Sequence, residues 1–323
     1  SNCTLEEHGM MVARSLPHFS SRGNIMVDLS TLTTESRNPN TMNLDEMTSL
    51  QIAQAMNRED AHAVEAVGMV LPLVAQAIDW AQESLAQGGR IIYMGAGTSG
   101  RLGVLDAVEC PPTFGVSSST VVGIMAGGSG AFVSAVEGAE DDADLGVEDL
   151  RAIDLDPRDL VVGLAASGRT PYVIGAIDYA RSVGCRTIGI ACNASSQVGA
   201  HADLAIEAVV GPEVLTGSTR LKAGTAQKLI LNMISTGCMV RSGKAYQNLM
   251  VDVQQTNEKL RERAKGIVVS ATGCTDQVAW DALNEAGGEV KTAIVMVLCG
   301  LSAVQAREQL AVAGGHVRKA IDR

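Results

Sequence analysis

Five short apolar runs between residues 90 and 211 dominate the pattern of the chain, and turn residues follow each of them. Helical segments separate most of the runs, and the runs are apolar on both faces. Runs of this kind that alternate with helices are typical of buried parallel strands in βαβ units with right-handed crossovers. The pattern therefore predicts an α/β fold with a five-stranded parallel sheet. The runs cover residues 90–97, 120–128, 160–168, 186–193 and 204–211, and the helical segments between them cover 100–109, 131–153 and 170–184.

Helical periodicity also precedes and follows the predicted sheet. A short helix is predicted within residues 44–60, and a long amphipathic helix over 61–89 with a kink at Pro72. Another long helix is predicted over 221–243. Residues 27–50 lack apolar periodicity, which indicates an arm or loop.

The last sixty residues predict three or four short helices separated by glycine-rich breaks. The first 25 residues show no sustained period and resemble a cleaved tag or an extension. We therefore predict four segments along the chain. They are a tag or extension at 1–25, an arm and helix at 26–60, the α/β domain at 61–261 and a small helical domain at 262–323.

Charge and cysteine content restrict the class of protein. The 323 residues carry a net charge of −11, which argues against nucleic-acid and anionic-membrane partners because phosphate-rich surfaces require an excess of Lys and Arg. No apolar run reaches the length of a membrane span. The seven cysteines show no C-x-x-C spacing, and they indicate reduced thiols in a cytoplasmic protein. The five histidines have no metal-ligand spacing, so no metal site is expected.

Hydroxyl and glycine residues follow three of the five predicted strands, and each group opens a helix. Ligands of doubly wound sheets bind beyond the carboxyl ends of the strands, and helix N-termini bind anions. The sequence therefore predicts a phosphate site, although Ser and Thr at these positions can also be simple helix caps. The predicted binding residues are Gly97, Thr98, Ser99, Ser167, Gly168, Thr170, Ser218 and Lys222.

The first of these loops contains a G-x-G-x-x-G pattern at Gly95, Gly97 and Gly100. A dinucleotide site with this pattern also needs an acidic residue about 20 residues later, at the end of the second strand. The second run ends in "IMAGGSG" and has no acid there. A phosphorylated small molecule is therefore the better prediction.

Acid–base chemistry requires ionisable side chains near that phosphate site. Glu109 precedes Cys110-Pro111-Pro112, and Glu137 and Glu140 lie in "AVEGAEDD". Each of these glutamates can also be an ordinary surface acid. Glu109 lies nine residues after Gly100, roughly 13 Å along a regular helix. It reaches a ligand at the helix start only if the helix is short, if the loop folds back, or if it serves a neighbouring subunit.

Several motifs together resemble the N-acetylmuramic acid 6-phosphate etherase family, which is related to glucokinase regulatory protein. The resemblance runs from about residue 27 to the C-terminus. It implies a sugar isomerase (SIS) domain, a flavodoxin-like three-layer sandwich with a five-stranded parallel sheet, followed by a small all-α domain similar to ubiquitin-associated (UBA) domains. It also implies a cytoplasmic, metal-free homodimer. The motifs are "YMGAGTSGRLGVLDAVECPPTFGV", "VVGLAASGRTPYVIGA", "GPEVLTGSTRLKAGTAQKLILNMIST" and "NLMVDVQQTNEKL".

The resemblance implies a lyase-type reaction of peptidoglycan amino-sugar recycling. D-lactate is eliminated from N-acetylmuramic acid 6-phosphate, and water then adds to give N-acetylglucosamine 6-phosphate. The motif "ECPP" places Glu109 at the C3 oxygen, and "EGAED" places Glu140 at the C2 proton, although the two roles can be exchanged. No cofactor is expected, because the carbonyl of the open-chain sugar accepts the electrons.

Two other functions are compatible with the same fold. One is a non-catalytic sugar-phosphate sensor, and the other is an aldose–ketose isomerase. A pure binder needs no pair of glutamates, and "ECPP" is not the signature of the isomerases. The presence of both Glu109 and Glu140 therefore favours the etherase.

Overall fold

The structure, a computed structural model, describes residues 32–255 and 257–322. Within these residues, one parallel sheet has the strand order β2-β1-β3-β4-β5. The prediction of a five-stranded parallel sheet is confirmed. The strands are β1 (Ile91–Gly95), β2 (Val121–Met125), β3 (Leu160–Leu164), β4 (Arg186–Ala191) and β5 (Leu204–Glu207).

Helices cover both faces of this sheet and complete three layers. Alternate strand residues point to opposite faces: Ile91 and Tyr93 pack into one core, and Ile92 and Met94 into the other. Helices α1, α2, α3 and α7 cover the first face, and α4, α5 and α6 cover the second. The helices are α1 (Ser49–Met69), α2 (Leu71–Ala86), α3 (Gly97–Phe114), α4 (Ala143–Ala152), α5 (Pro171–Val183), α6 (Gln197–His201) and α7 (Lys222–Arg241).

Glycines bring α3 unusually close to β1 and β2. A Cβ atom on Gly100 would lie 2.6 Å from the carbonyl oxygen of Gly95, and one on Gly123 would lie 2.5 Å from the Cα of Val104. Both obstacles are backbone atoms, which no side-chain rotation can move. These glycines therefore fix the position of α3 on the sheet.

The helix boundaries before the sheet differ from the prediction. Helix α1 runs without a break through residues 60 and 61, and it begins with a capping box between Thr48 and Gln51. The bend of 63° lies at Val70, just before the predicted kink at Pro72. Proline has no N–H to donate to the preceding turn, so the chain bends there and Pro72 occupies the first turn of α2.

The chain after α7 forms a short hairpin and a helical region with its own core. The described residues contain five helices after the hairpin, one more than the upper prediction, and the first begins at residue 258 rather than near 262. Val268, Ile294 and Leu310 lie in this core. The elements are β6 (Ala245–Tyr246), β7 (Leu249–Met250), α8 (Glu258–Thr272), α9 (Asp276–Glu285), α10 (Val290–Cys299), α11 (Ala303–Val312) and α12 (Val317–Ile321).

Two further expectations concern the N-terminal extension and membrane-spanning segments. The predicted tag or extension at 1–25 lies outside the described residues. No single helix within residues 32–255 and 257–322 is long and apolar enough to span a membrane, although two bent helix pairs reach that length together.

Gly123→Ala tests the close approach of α3. We expect the free energy of unfolding to fall by about 1–3 kcal/mol, because the new methyl group meets the α3 backbone. The matched control is Gly68→Ala in α1, where a Cβ has no atom within 4 Å. That change should be neutral or stabilising by up to about 1 kcal/mol. Equal effects of both substitutions in chemical denaturation would contradict the packing argument.

Candidate active site

The loops after β1 and β3 leave the sheet side by side. Gly95 ends β1, and its register partner on β3 is Leu164, which ends that strand. β1 and β3 are the strands between which the order of the sheet reverses, which is where ligands of such sheets bind. The first predicted loop, Gly97 to Ser99, and the second, Ser167 to Thr170, therefore start from one edge.

The N-terminus of α3 has the geometry of an anion site. Ala96 occupies the N-cap position, and no described side chain caps this helix start. The first N–H groups of a helix have no intrahelical acceptor and carry the positive end of the helix dipole. We call a helix N-terminus without a cap from any described side chain an open start. Gly97, the first residue of α3, is exposed and has a φ of +52°.

A cavity of about 190 Å³ adjoins this open start. Gly97 lines it from the helix, and Glu137 and Glu140 line it from the segment after β2. The structure thus brings two predicted site residues, Gly97 and Glu140, to one cleft. Arg101 holds the segment in place, because its guanidinium donates to the carbonyl oxygens of Ala131 and Phe132 at 2.9 Å each.

The loop after β3 leads to a second open start. Thr170 is the N-cap residue of α5, and no side chain in the described chain caps that helix. Gly168 has a φ of +74°, and a Cβ on it would lie 2.4 Å from the Cβ of Ser196. The Ser167 hydroxyl oxygen accepts the backbone N–H of Arg169 at 3.3 Å.

The N-terminal arm crosses this edge of the sheet and is fixed there by Asn193. The Asn193 side chain is buried, and its nitrogen donates to the carbonyl oxygen of Ala166 and to the hydroxyl of Thr34. Its oxygen accepts the backbone N–H of Thr33 at 2.9 Å. No local sequence pattern predicts this contact, since the arm and Asn193 are 160 residues apart.

The third predicted loop differs from the other two, because a carboxylate of the chain already occupies the start of α7. Glu213 is fully buried and accepts the backbone N–H groups of Lys222 and Ala223 at 3.0 Å each. Burial raises the pKa of Glu213, against the lowering effect of these two hydrogen bonds. Ser218 lies in the same loop, half-buried.

Lys222 was predicted to bind phosphate, but its ammonium is bound to a carboxylate. Its Nζ donates to Oε2 of Glu59 at 2.8 Å, and the exposed fractions of the two residues are 1% and 5%. Asn38 and Asn40 of the arm also donate to Glu59. Burial raises the pKa of Glu59, but these hydrogen bonds outweigh it and lower the pKa to about 2. This geometry does not favour a direct contact between Lys222 and phosphate.

The sequence predicts that the helix ends at Glu109, but in the structure the helix continues beyond this residue. Helix α3 continues through Pro111 and Pro112 to Phe114, and Glu109 is exposed on its outer surface. Gly97 lies twelve residues earlier, roughly 18 Å along the axis. The helix is not short, so Glu109 and the open start of the same chain lie far apart along α3.

Ser99 leads to a residue that the sequence analysis missed. Ser99 is buried, and its hydroxyl donates to Oε1 of Gln227 on α7 at 2.9 Å. The Nε2 atom of Gln227 is buried and has no hydrogen-bond partner among the described residues. A buried donor without a partner costs about 1–3 kcal/mol. The only sequence signal was its position five residues after Lys222 in "LKAGTAQK".

Among the residues that the structure describes, metal-ligating side chains do not converge at this edge. Across the described ranges, no group of three or more His, Cys, Asp or Glu side chains could hold a metal ion.

Two family models match the α/β part of the chain. The SIS domain model matches residues 144–236, and the model described as the glucokinase regulatory protein N-terminal SIS domain matches residues 73–181. Together with the sheet order, these matches define an SIS-domain protein.

Curated relatives give the particular family. The N-acetylmuramic acid 6-phosphate etherase of Pectobacterium atrosepticum is 58% identical over 295 residues, which are 91% of this chain and 97% of the relative. That of Serratia proteamaculans is 58% identical over 297 residues, 92% of this chain and 100% of the relative. The chain belongs to the N-acetylmuramic acid 6-phosphate etherase family, and the resemblance seen in the sequence is confirmed.

Two solved structures with sugar-phosphate isomerase names match this chain at lower identity. A phosphoheptose isomerase from Francisella tularensis has 16% identity and a TM-score of 0.47, over 60% of this chain and 100% of its own. The isomerase GmhA from Neisseria gonorrhoeae has 17% identity and a TM-score of 0.47, over 61% of this chain and 99% of its own.

Glu59→Gln tests the buried ion pair. We expect a loss of about 3–5 kcal/mol of unfolding free energy, because the Lys222 ammonium stays buried without a counter-charge. The double variant Glu59→Gln/Lys222→Met should regain most of this loss. Its affinity for inorganic phosphate, measured by calorimetry, should equal that of the wild type. A strong loss of phosphate affinity in the double variant would show that Lys222 does bind phosphate.

Proposed function

We propose that this protein cleaves the D-lactyl ether of N-acetylmuramic acid 6-phosphate and releases D-lactate and N-acetylglucosamine 6-phosphate. The names of the curated relatives support this substrate. The observation that carries the proposal is the position of Glu140, which lines a cleft beside the open start of α3. A carboxylate beside an anion-binding helix N-terminus is placed to transfer protons on a phosphorylated sugar.

The 6-phosphate binds at the two open starts in this proposal. The backbone N–H groups at the start of α3 and the loop before α5 supply the donors, and the helix dipoles favour the negative charge. Binding energy at the phosphate anchors the sugar away from the reacting carbons. The residues proposed for this cradle are Gly97, Thr98, Ser99, Ser167, Gly168, Thr170 and Ser218.

The reaction is an elimination followed by an addition, so the enzyme is a carbon–oxygen lyase. Glu140 removes the C2 proton, and the open-chain aldehyde accepts the electron pair. The bond between C3 and the lactyl oxygen then breaks, and a carboxylic acid protonates the departing lactate. Water adds to C3 of the unsaturated aldehyde, and C2 regains a proton. The sugar carbonyl serves as the electron sink, so no cofactor enters this scheme.

Glu109 of a partner subunit supplies the second carboxyl group in this proposal. Its distance along α3 separates it from the cleft of its own chain. Leu105 and Val108 flank it on the same helix and are 42% and 58% exposed, an apolar surface that suits a subunit contact. A two-fold dimer that packs this surface against the N-terminal half of the partner's α3 brings Glu109 to the partner's cleft. We therefore propose a homodimer, acting in the cytoplasm on amino sugars from the cell wall.

Lactate release from N-acetylmuramic acid 6-phosphate tests the activity. We expect the wild type to release D-lactate and Glu109→Gln and Glu140→Gln each to lower kcat by at least roughly a hundredfold, because each removes a proton-transfer group. Glu137→Gln is the matched control, since this acid lines the same cleft without a role in the scheme. A wild type that binds the sugar phosphate but releases no lactate would make the protein a sensor.

Mixing the two inactive variants tests the shared site. After equal amounts of Glu109→Gln and Glu140→Gln chains exchange at random, half of the dimers are mixed, and each mixed dimer has one intact site. Activity should therefore return to about a quarter of the wild-type value. If both glutamates act within one chain, the mixture stays inactive.

A further inference from the structure

Gln227 carries an unsatisfied hydrogen-bond donor directly behind the open start of α3. Two buried side-chain atoms in the described chain lack hydrogen-bond partners, Nε2 of Gln227 and Oδ2 of Asp252. The Asp252 oxygen has charged neighbours, since the ammonium groups of Lys291 and Lys244 lie 2.7 and 3.2 Å from it. The Gln227 nitrogen remains the unexplained atom. Gln227 is fully buried, and its Oε1 contacts Ser99 in the first turn of α3.

In the observed contact, the Ser99 hydroxyl donates to Gln227 and cannot donate to a phosphoryl group. A serine hydroxyl has one hydrogen, and Ser99 gives it to Gln227. Ser99 therefore offers only lone pairs to a phosphoryl group, whose oxygens are also acceptors. A phosphate at this helix start needs the hydrogen of Ser99. The contact between Ser99 and Gln227 can then persist only if Gln227 becomes the donor and the Ser99 oxygen the acceptor.

Rotation of the Gln227 amide satisfies both needs. A turn of 180° about the Cγ–Cδ bond exchanges Oε1 and Nε2 and keeps the contact with Ser99. Nε2 then donates to the Ser99 oxygen, and the Ser99 hydrogen is free for the phosphoryl oxygen. The result is a chain of hydrogen bonds, N–H to O–H to phosphate, in which each bond strengthens the next.

We propose that Gln227 is a positioning residue for the phosphate, which directs the Ser99 hydroxyl toward the phosphoryl group by reversing its amide when the anion binds. The inference rests on the phosphate cradle of the proposed function. Gln227 does not touch the substrate; it acts through Ser99.

Three variants test the proposal. Gln227→Glu has the same shape but, as a carboxylate, accepts the Ser99 hydrogen and cannot donate. Its KM for N-acetylmuramic acid 6-phosphate should rise roughly tenfold or more, with a smaller change in kcat. Gln227→Met removes both polar atoms and frees the Ser99 hydrogen, so its KM should rise less. Ser235→Ala, two turns along α7, is the matched control: it removes a buried hydroxyl that contacts Asp106, and its KM should equal the wild-type value.

A second readout separates positioning from a merely structural role. The Ki of inorganic phosphate should rise with the KM in Gln227→Glu, whereas kcat/KM for unphosphorylated N-acetylmuramic acid should stay constant. In a Ser99→Ala chain, the further change Gln227→Met should add no loss of phosphate affinity, because the residue acts through Ser99. Equal losses for the phosphorylated and unphosphorylated sugars, with a lower Tm, would overturn the proposal.

Direct binding separates this inference from the proposed reaction. Calorimetry with inorganic phosphate compares wild type, Gln227→Glu and Ser235→Ala without turnover. A wild type that binds phosphate but releases no lactate ends the etherase proposal, while weaker binding by Gln227→Glu alone still supports Gln227. A wild-type affinity for phosphate in Gln227→Glu overturns the role of Gln227 even if lactate is released.

Discussion

The contact between α3 and the first two strands is the constraint on which the site depends. Glycines on both sides let the backbones touch, at Gly95 against Gly100 and at Gly123 against Val104. A helix held this closely cannot slide or tilt without a clash of main-chain atoms. Its N-terminus is therefore fixed at the switch point of the sheet, beside the loop that leads to α5. The direction of the α3 dipole and the position of its first N–H groups follow from this packing alone.

Charge at the strand ends is distributed unequally. Glu213 neutralises the start of α7, and Glu59 neutralises the Lys222 side chain, so this corner forms a closed network that also holds the arm through Asn38. The starts of α3 and α5 have no such carboxylate from the described chain. A helix start thus stabilises the fold at the loop before α7, where it binds a carboxylate of the chain. The helix starts of α3 and α5 remain suited to an anionic ligand.

The five strands and the loops at their ends could be predicted, because runs apolar on both faces and glycine–hydroxyl turns are local signals. The roles of the loops could not, because they depend on distant partners: Lys222 is bound to a residue 163 positions earlier. The end of α3 was also misplaced. Prolines normally stop a helix, but here Cys110 and Phe114 are buried in the core, and their packing extends the helix through both prolines.

The carboxylate at the start of α7 has a consequence for the ancestry of such folds. Each strand of a parallel sheet delivers a helix start to the same edge, so repetition alone creates several equivalent anion sockets. One internal glutamate, such as Glu213, occupies the N–H groups of a helix start, which then cannot bind an external anion, without any change in the backbone. Gain or loss of a single acidic side chain can therefore change how many charged groups a ligand must carry. Lineages with one architecture can diverge in ligand by this route while the sheet itself stays unaltered.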